Sequence, residues 1–313
     1  DRLIGTDFGA RLKRYAGMEI FEDSYEDDGT LSARTQSEVQ KLANEALANP
    51  DLLKQELHWL VTPEAENGYH FGYELGKADR SFVFLDEILA ALSLSQRGTA
   101  YFLGGYFKAI YERDREKWES ELDRLCKNAK LCIHVPELTW RSGLTDRAGR
   151  RIVGLARRQA ITVEHFACFR MGGTLKVLSE DVFHEWLDYL LEGGLIGAYL
   201  ALDFFDSYYL YHKKGSGKLP EQLTLRLLLH GAFFEKAEKT NRQQMGDFHW
   251  KQVALRFLKE SPQHGLLISE RLLEYFGIEG TIIGGYRTQV QEVLIETIKL
   301  YPGEVWKQAS KYI

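Results

Sequence analysis

Cysteine is scarce in this chain: Cys126, Cys132 and Cys168 are the only three in 313 residues, and no two of them stand at a CxxC spacing. That excludes zinc-ribbon and disulfide-scaffold classes and fits a reducing, cytoplasmic setting. Proline is scarce as well. Pro50, Pro63, Pro136, Pro220, Pro262 and Pro302 all fall at or between the ends of apolar-periodic segments, where a missing N–H interrupts no helix. Strict apolar–polar alternation is almost absent, so no sheet is signalled. Long apolar runs are missing too. The richest stretch, LLEGGLIGAYLALDFF, is broken by Glu192 and Asp203 and falls short of the ~18 residues a membrane span needs, so no membrane association is expected. A net charge of −5 excludes a globally basic nucleic-acid binder. No secretory leader is legible, and the chain opens on Asp1 rather than Met, which suggests an excerpt of a longer protein.

What is present is apolar periodicity of the helical kind. Apolar residues recur at three- and four-residue spacing in 37–49, 84–96, 99–112, 116–126, 144–159, 162–170, 180–191, 195–212, 220–237, 248–260, 264–276, 282–300 and 304–312, which predicts an all-α fold. Ser37, Thr145 and Ser179 stand where N-caps are expected. Near the end, QVALRFLKESPQHGLL (252–267) aligns with EVLIETIKLYPGEVWK (292–307) at an offset of 40, pairing Val253 with Val293, Leu258 with Ile298, Pro262 with Pro302 and Leu266 with Trp306. Forty residues is the period of a stacked helix pair of the HEAT or armadillo kind. The expected fold is therefore a degenerate α-solenoid, whose units need neighbours to bury their stripes. Composition divides it into an irregular acidic segment 1–35, an irregular helical array 36–212 and regular repeats 213–313, with HKKGSGKL (212–219) as the seam.

Glycine pairs recur at Gly104-Gly105 and Gly172-Gly173, with related small pairs at Gly197-Ala198, Gly231-Ala232 and Gly284-Gly285. A helical glycine costs ~1 kcal/mol relative to alanine, and close approach of two helices is the simplest compensation. A phosphate-cradling loop is the alternative, but none of the pairs belongs to GxGxxG or GxxxxGK[ST].

Candidate chemistry is sparse. Asp203 and Asp206 in LDFFDSYYL lie three apart on one helix face, the arrangement an all-α, Mg²⁺-dependent, terpene-synthase-like enzyme would use. The plainer reading leaves both acids in solvent while Phe204, Phe205 and Tyr208 pack. The nine histidines form no metal-ligand spacing, so no metal or cofactor is expected. Cys168 has His165 one turn away, the arrangement of a Cys/His nucleophile, but HFACFRM reads more simply as a buried free cysteine.

One charged face stands out. Arg147, Arg150, Arg151, Arg157 and Arg158 fall within an arc of about 120° on the helix 145–158. Guanidinium groups grip planar anions in pairs of hydrogen bonds, so carboxylate or phosphate is implied. The competing reading is a face that is solvated or neutralised by the chain's own acids, for example those of 19–28. Tyr199, Tyr208 and Tyr209 are candidate partner contacts at the rim of a groove.

The phrases ELHWLVTPEAENGYHFGYELGKAD (56–79) and YPGEVWKQASKYI (301–313) resemble the helical C-terminal regions of large multidomain bacterial proteins, some of them P-loop NTPases or effector enzymes associated with anti-phage defence. The resemblance implies target sensing or assembly by the array, with catalysis elsewhere, and carries over no functional residue. The expected function is thus a non-catalytic scaffold or sensor. A protein partner is the first expectation, and nucleic acid along the 145–158 arginines the second.

Overall fold

The computed structural model describes residues 5–17, 32–171, 173–212, 217–234, 241–279 and 288–312. Every regular element among them is helical, as the periodicity predicts. Compactness divides the chain between 168 and 169, whereas composition suggested seams at 35 and 212.

The first unit holds α1 (Phe8–Ala16), α2 (Ala33–Ala48), α3 (Pro50–Leu60), α4 (Gly68–Ala78), α5 (Leu85–Leu94), α6 (Tyr101–Arg113), α7 (Arg115–Cys126), α8 (Val135–Ser142) and α9 (Asp146–Arg157). Its centre is α6, packed between α4 and α8. Phe102, Leu103, Tyr106, Phe107 and Ile110 are all buried, so this helix is apolar nearly all round. The glycines at 104–105 are where other chain segments come closest. A Cβ on Gly105 would lie 1.9 Å from the Tyr69 carbonyl oxygen and one on Gly72 2.0 Å from that of Phe102, so α4 and α6 touch backbone to backbone. Gly104 is covered by the Arg141 side chain, and Gly197 lies against the Leu190 carbonyl. Gly231 has only Arg271 Nη2, 3.9 Å from a built Cβ, nearby, so close approach does not explain it. Gly172, Gly284 and Gly285 lie outside the described residues.

The turn between α4 and α5 is tied by buried Asp79, which accepts from the Tyr106 hydroxyl at 2.5 Å and the Phe84 amide at 3.1 Å. Of the expected caps, Thr145 and Ser179 accept from the amides of Ala148 and Val182. Ser37 instead lies inside α2, which is capped by Ser32.

The second unit holds α10 (Glu180–Glu192), α11 (Gly194–Phe205), α12 (Glu221–Leu228), α13 (Asn241–Glu260), α14 (Gly265–Glu279), α15 (Thr288–Leu300) and α16 (Pro302–Ala309). Beyond α11 the chain winds as a π-helix over Asp206–His212, where the 3.6-residue pattern predicted one continuous α-helix. Likewise Val163–Arg170 is a 3₁₀ helix rather than an α-helix. The aromatic core lies under α10 and α11: Phe183 stacks on Tyr208 with centroids 4.0 Å apart, and Trp186 meets Phe169 edge-on at 4.9 Å. Pro262 and Pro302 each start a new helical segment after a long helix. α13 packs on α15 and α14 on α16. No helix among the described residues is long and apolar enough to cross a membrane.

Candidate functional site

The arginine helix is α9. Its inner face, with Ala148, Ile152, Val153, Leu155 and Ala156, is buried, which turns the arginines outward and sideways. Arg147, Arg151 and Arg158 make contacts within the unit. Arg147 reaches Asp123 at 2.6 Å and Glu116 at 3.4 Å, and buried Arg151 reaches Glu119 at 2.7 Å and Asp123 at 2.8 Å. Arg158 donates to the carbonyl of Cys126, the last residue of α7, where a cation complements the helix C-terminus. Burial opposes ionisation of Asp123, but hydrogen bonds from Arg151 and Arg147 hold its carboxyl below the usual range.

Arg147, Arg151 and Arg158, candidate partner contacts from the sequence, thus meet acceptors of their own unit, as the competing reading of that face expects. The acids concerned are Glu116, Glu119 and Asp123, spaced three and four apart on α7 and so sharing one face. That spacing was legible in the sequence, but the helix facing it was not. The acidic stretch at 19–28 lies outside the described residues. Arg150 and Arg157 occupy the exposed side of α9.

Asp203 and Asp206 share a face, as their spacing requires, yet neither faces solvent freely. Arg170 pairs with Asp203. His249 on α13 places Nδ1 2.7 Å from Asp206 and Nε2 3.6 Å from Asp203. Two carboxylates are thus met by a guanidinium and an imidazole, a set that balances its own charge in a buried place. Among the described residues no group of three or more His, Cys, Asp or Glu is disposed to hold a metal ion. The reading of two solvated acids does not hold, because Asp206 is buried.

The hydrogen bond from His249 to Asp206 raises the imidazole above its ordinary range. A raised folded-state value means that stability from this contact is complete below the free imidazole's pKa, near 6.5, and is lost as pH rises through the folded value. The melting temperature of the chain should therefore fall relative to His249→Gln as pH rises from about 6 to 9. The difference between the two profiles separates His249 from His70 and His134, whose burial shifts them the opposite way.

The tyrosines are core residues, which corrects their assignment to a groove rim. Tyr208 donates to the Leu178 carbonyl at 2.9 Å, the Tyr209 hydroxyl lies 2.7 Å from His184 Nε2, and Tyr199 packs edge-on against Phe233. All three are buried. The π-helical winding sets Tyr208 and Tyr209 side by side in that core, a placement that 3.6-residue periodicity does not anticipate. The Cys168 thiol donates to the His165 carbonyl at 3.4 Å, while the His165 ring accepts the Thr162 amide. The imidazole is thus turned to its own turn of chain, not built as a base for the thiol.

In the second unit α13 and α15 flank an open groove of about 570 Å³. Its floor is apolar, from Leu255, Leu258, Pro262, Ile295 and Leu300. Its rim carries both signs: Lys259 and Lys299, Glu292 and Glu296. Lys251 bridges the helices to Glu292 at 3.3 Å, and the Tyr301 hydroxyl donates to the Pro262 carbonyl at 3.1 Å, so both walls are anchored. The size is that of a ligand cleft. The sequence signal was the Pro262/Pro302 echo, which picked out Leu258 and Pro262 of the lining but not the groove that they share. Compared with protein families, curated proteins and solved structures, the chain matches none.

Proposed function

We propose that this chain is a non-catalytic helical-repeat scaffold that holds an amphipathic helix of a partner protein in the groove between α13 and α15. One observation carries the reading: a continuous apolar floor left open between two anchored helices, with Ile295 half exposed and a rim of alternating charge. An apolar floor takes the anchor side chains of a helix laid into it. A mixed rim sets register and orientation more than affinity. The HEAT-like arrangement belongs to the same proposal, supported by the 40-residue echo and by the packing of α13 on α15 and α14 on α16. The arginine helix is the weaker surface, because the acids of α7 already occupy much of it.

A photo-crosslinking residue placed at Leu255 in the native host is expected to capture a discrete protein, while the same residue at exposed Val83 in the first unit captures none. Ile295→Asp should reduce that capture at least about tenfold, the scale of losing one buried apolar anchor. Equal adducts from both positions, or capture unchanged by Ile295→Asp, would remove the groove from consideration.

A further inference from the structure

Five aromatic side chains of the second unit converge on one small cavity: Tyr199 from α11, Phe233 and Phe234 from a 3₁₀ turn at Gly231–Phe234, Trp250 from α13 and Tyr275 from α14. Their rings stand steeply to one another. Tyr199 meets Phe233 at 72° with centroids 5.3 Å apart, Phe234 meets Trp250 at 89° and 6.3 Å, and Phe234 meets Tyr275 at 64° and 5.8 Å. Two of the walls are held in place. The Trp250 indole donates to the Leu228 carbonyl at 3.0 Å, and Gly246 admits the Tyr199 ring, because a Cβ there would lie 2.1 Å from its Cε1.

Such a lining selects for positive charge. Aromatic faces are the negative regions of ring quadrupoles and attract cations within about 6 Å of the centroid. Asp247 adds a carboxylate to the same lining, which holds no lysine or arginine among the described residues. The Arg271 guanidinium, outside that lining, lies 4.8 Å from the Phe234 centroid and pairs with Glu274 at 2.6 Å, so one ring of the set already seats a cation. Size narrows the class further. The space open to the centre of a water-sized sphere is about 20 Å³, room for about one water-sized group. A primary ammonium is of that size, whereas a quaternary head with four carbons on nitrogen is not.

We propose that this cavity binds the ammonium group of a primary amine, carried either by a free small amine or by a lysine side chain. The nitrogen rests against the aromatic faces with Asp247 as its counter-charge, and the stem leaves past Phe233 and Phe234, the least buried of the five rings. Desolvation by the rings strengthens both attractions. The site stands apart from the groove between α13 and α15, with which it shares no described lining residue.

Fluorotryptophan incorporated throughout the chain gives a fluorine resonance for each of its six tryptophans, and the one missing from Trp250→Phe is the reporter. Methylammonium chloride should move it saturably, against sodium chloride at equal ionic strength. Tetramethylammonium should bind at least about tenfold more weakly, as a head too large for the space. Phe234→Leu and Asp247→Asn should each weaken methylammonium binding about threefold or more, the scale of one cation–π or ionic contact. A response to Nα-acetyl-lysine amide as well as to methylammonium assigns a lysine side chain to the site, and a response to methylammonium alone assigns a free amine. Leu255→Asp should abolish capture of a partner helix while leaving the reporter's response intact, so the two proposals fail separately. A reporter that methylammonium does not move, one that tetramethylammonium moves equally, or binding unaltered in both Phe234→Leu and Asp247→Asn would overturn the proposal.

Discussion

Replacing Gly105 by alanine is expected to cost ~3 kcal/mol or more, the upper end of overpacking penalties. At roughly 2–4 °C per kcal/mol, that lowers the melting temperature of the first unit by about 6–12 °C. The reason is what the new methyl would meet: the Tyr69 carbonyl oxygen at 1.9 Å and the Tyr73 amide nitrogen at 2.7 Å. Both are backbone atoms of α4, so no rotamer change relieves the clash and the two helices must separate. Separation would unpack Phe71 from Phe102, whose rings stack with centroids 5.6 Å apart. Gly154→Ala provides the control. A Cβ at Gly154 meets nothing within 4 Å, and the exchange should stabilise α9 by about 0.5–1 kcal/mol through helix propensity alone. Chemical denaturation of both variants checks the pair, and similar losses in the two would refute the close-approach account.

Arg151→Met should be comparably damaging, by about 3–4 kcal/mol, for an electrostatic reason. Arg151 is buried against Glu119, which is buried as well and also accepts from the Thr145 hydroxyl at 2.6 Å. Removing the guanidinium leaves a carboxylate in an apolar setting with its main cationic partner gone, and the uncompensated charge costs more than the pair contributed. Two comparisons identify the cause. Arg147→Met, at a half-exposed position on the same carboxylates, should change stability little, because solvent screens that pair. Adding Glu119→Leu to Arg151→Met should recover most of the loss. Equal losses for Arg147→Met and Arg151→Met would show that burial does not set the penalty.

Legibility varied with the kind of signal. The helices of 84–126 and 144–157 were readable because an apolar stripe at 3.6-residue spacing is a property of one segment. α3 and α4 were not read as helices, and α4 shows why. GYHFGYELGKA carries three glycines among its eleven residues, which lower helix propensity and read locally as loop. Those glycines are what let α6 approach, a compensation that exists only when both helices are present. The pairing of Asp203 with Asp206 was readable from spacing. That Arg170 and His249 would meet them was not, because His249 lies 43 residues beyond Asp206 in the chain. The buried state of Tyr199, Tyr208 and Tyr209 was misjudged for a related reason. A helix apolar on most sides is central, and the π-helical turn places both Tyr208 and Tyr209 inside.

The sequence by itself determined the all-helical class, several helix starts at prolines and at the Thr145 and Ser179 caps, and the 40-residue echo from which the groove is reached. These follow from backbone sterics and side-chain periodicity, which act within a few residues. Only the tertiary structure decided which charges are spent and which surfaces stay open. The arginines of α9 look like a binding face until α7 is laid beside them. Burial and charge compensation depend on what lies across the interface, and the chain's order does not encode that neighbour locally.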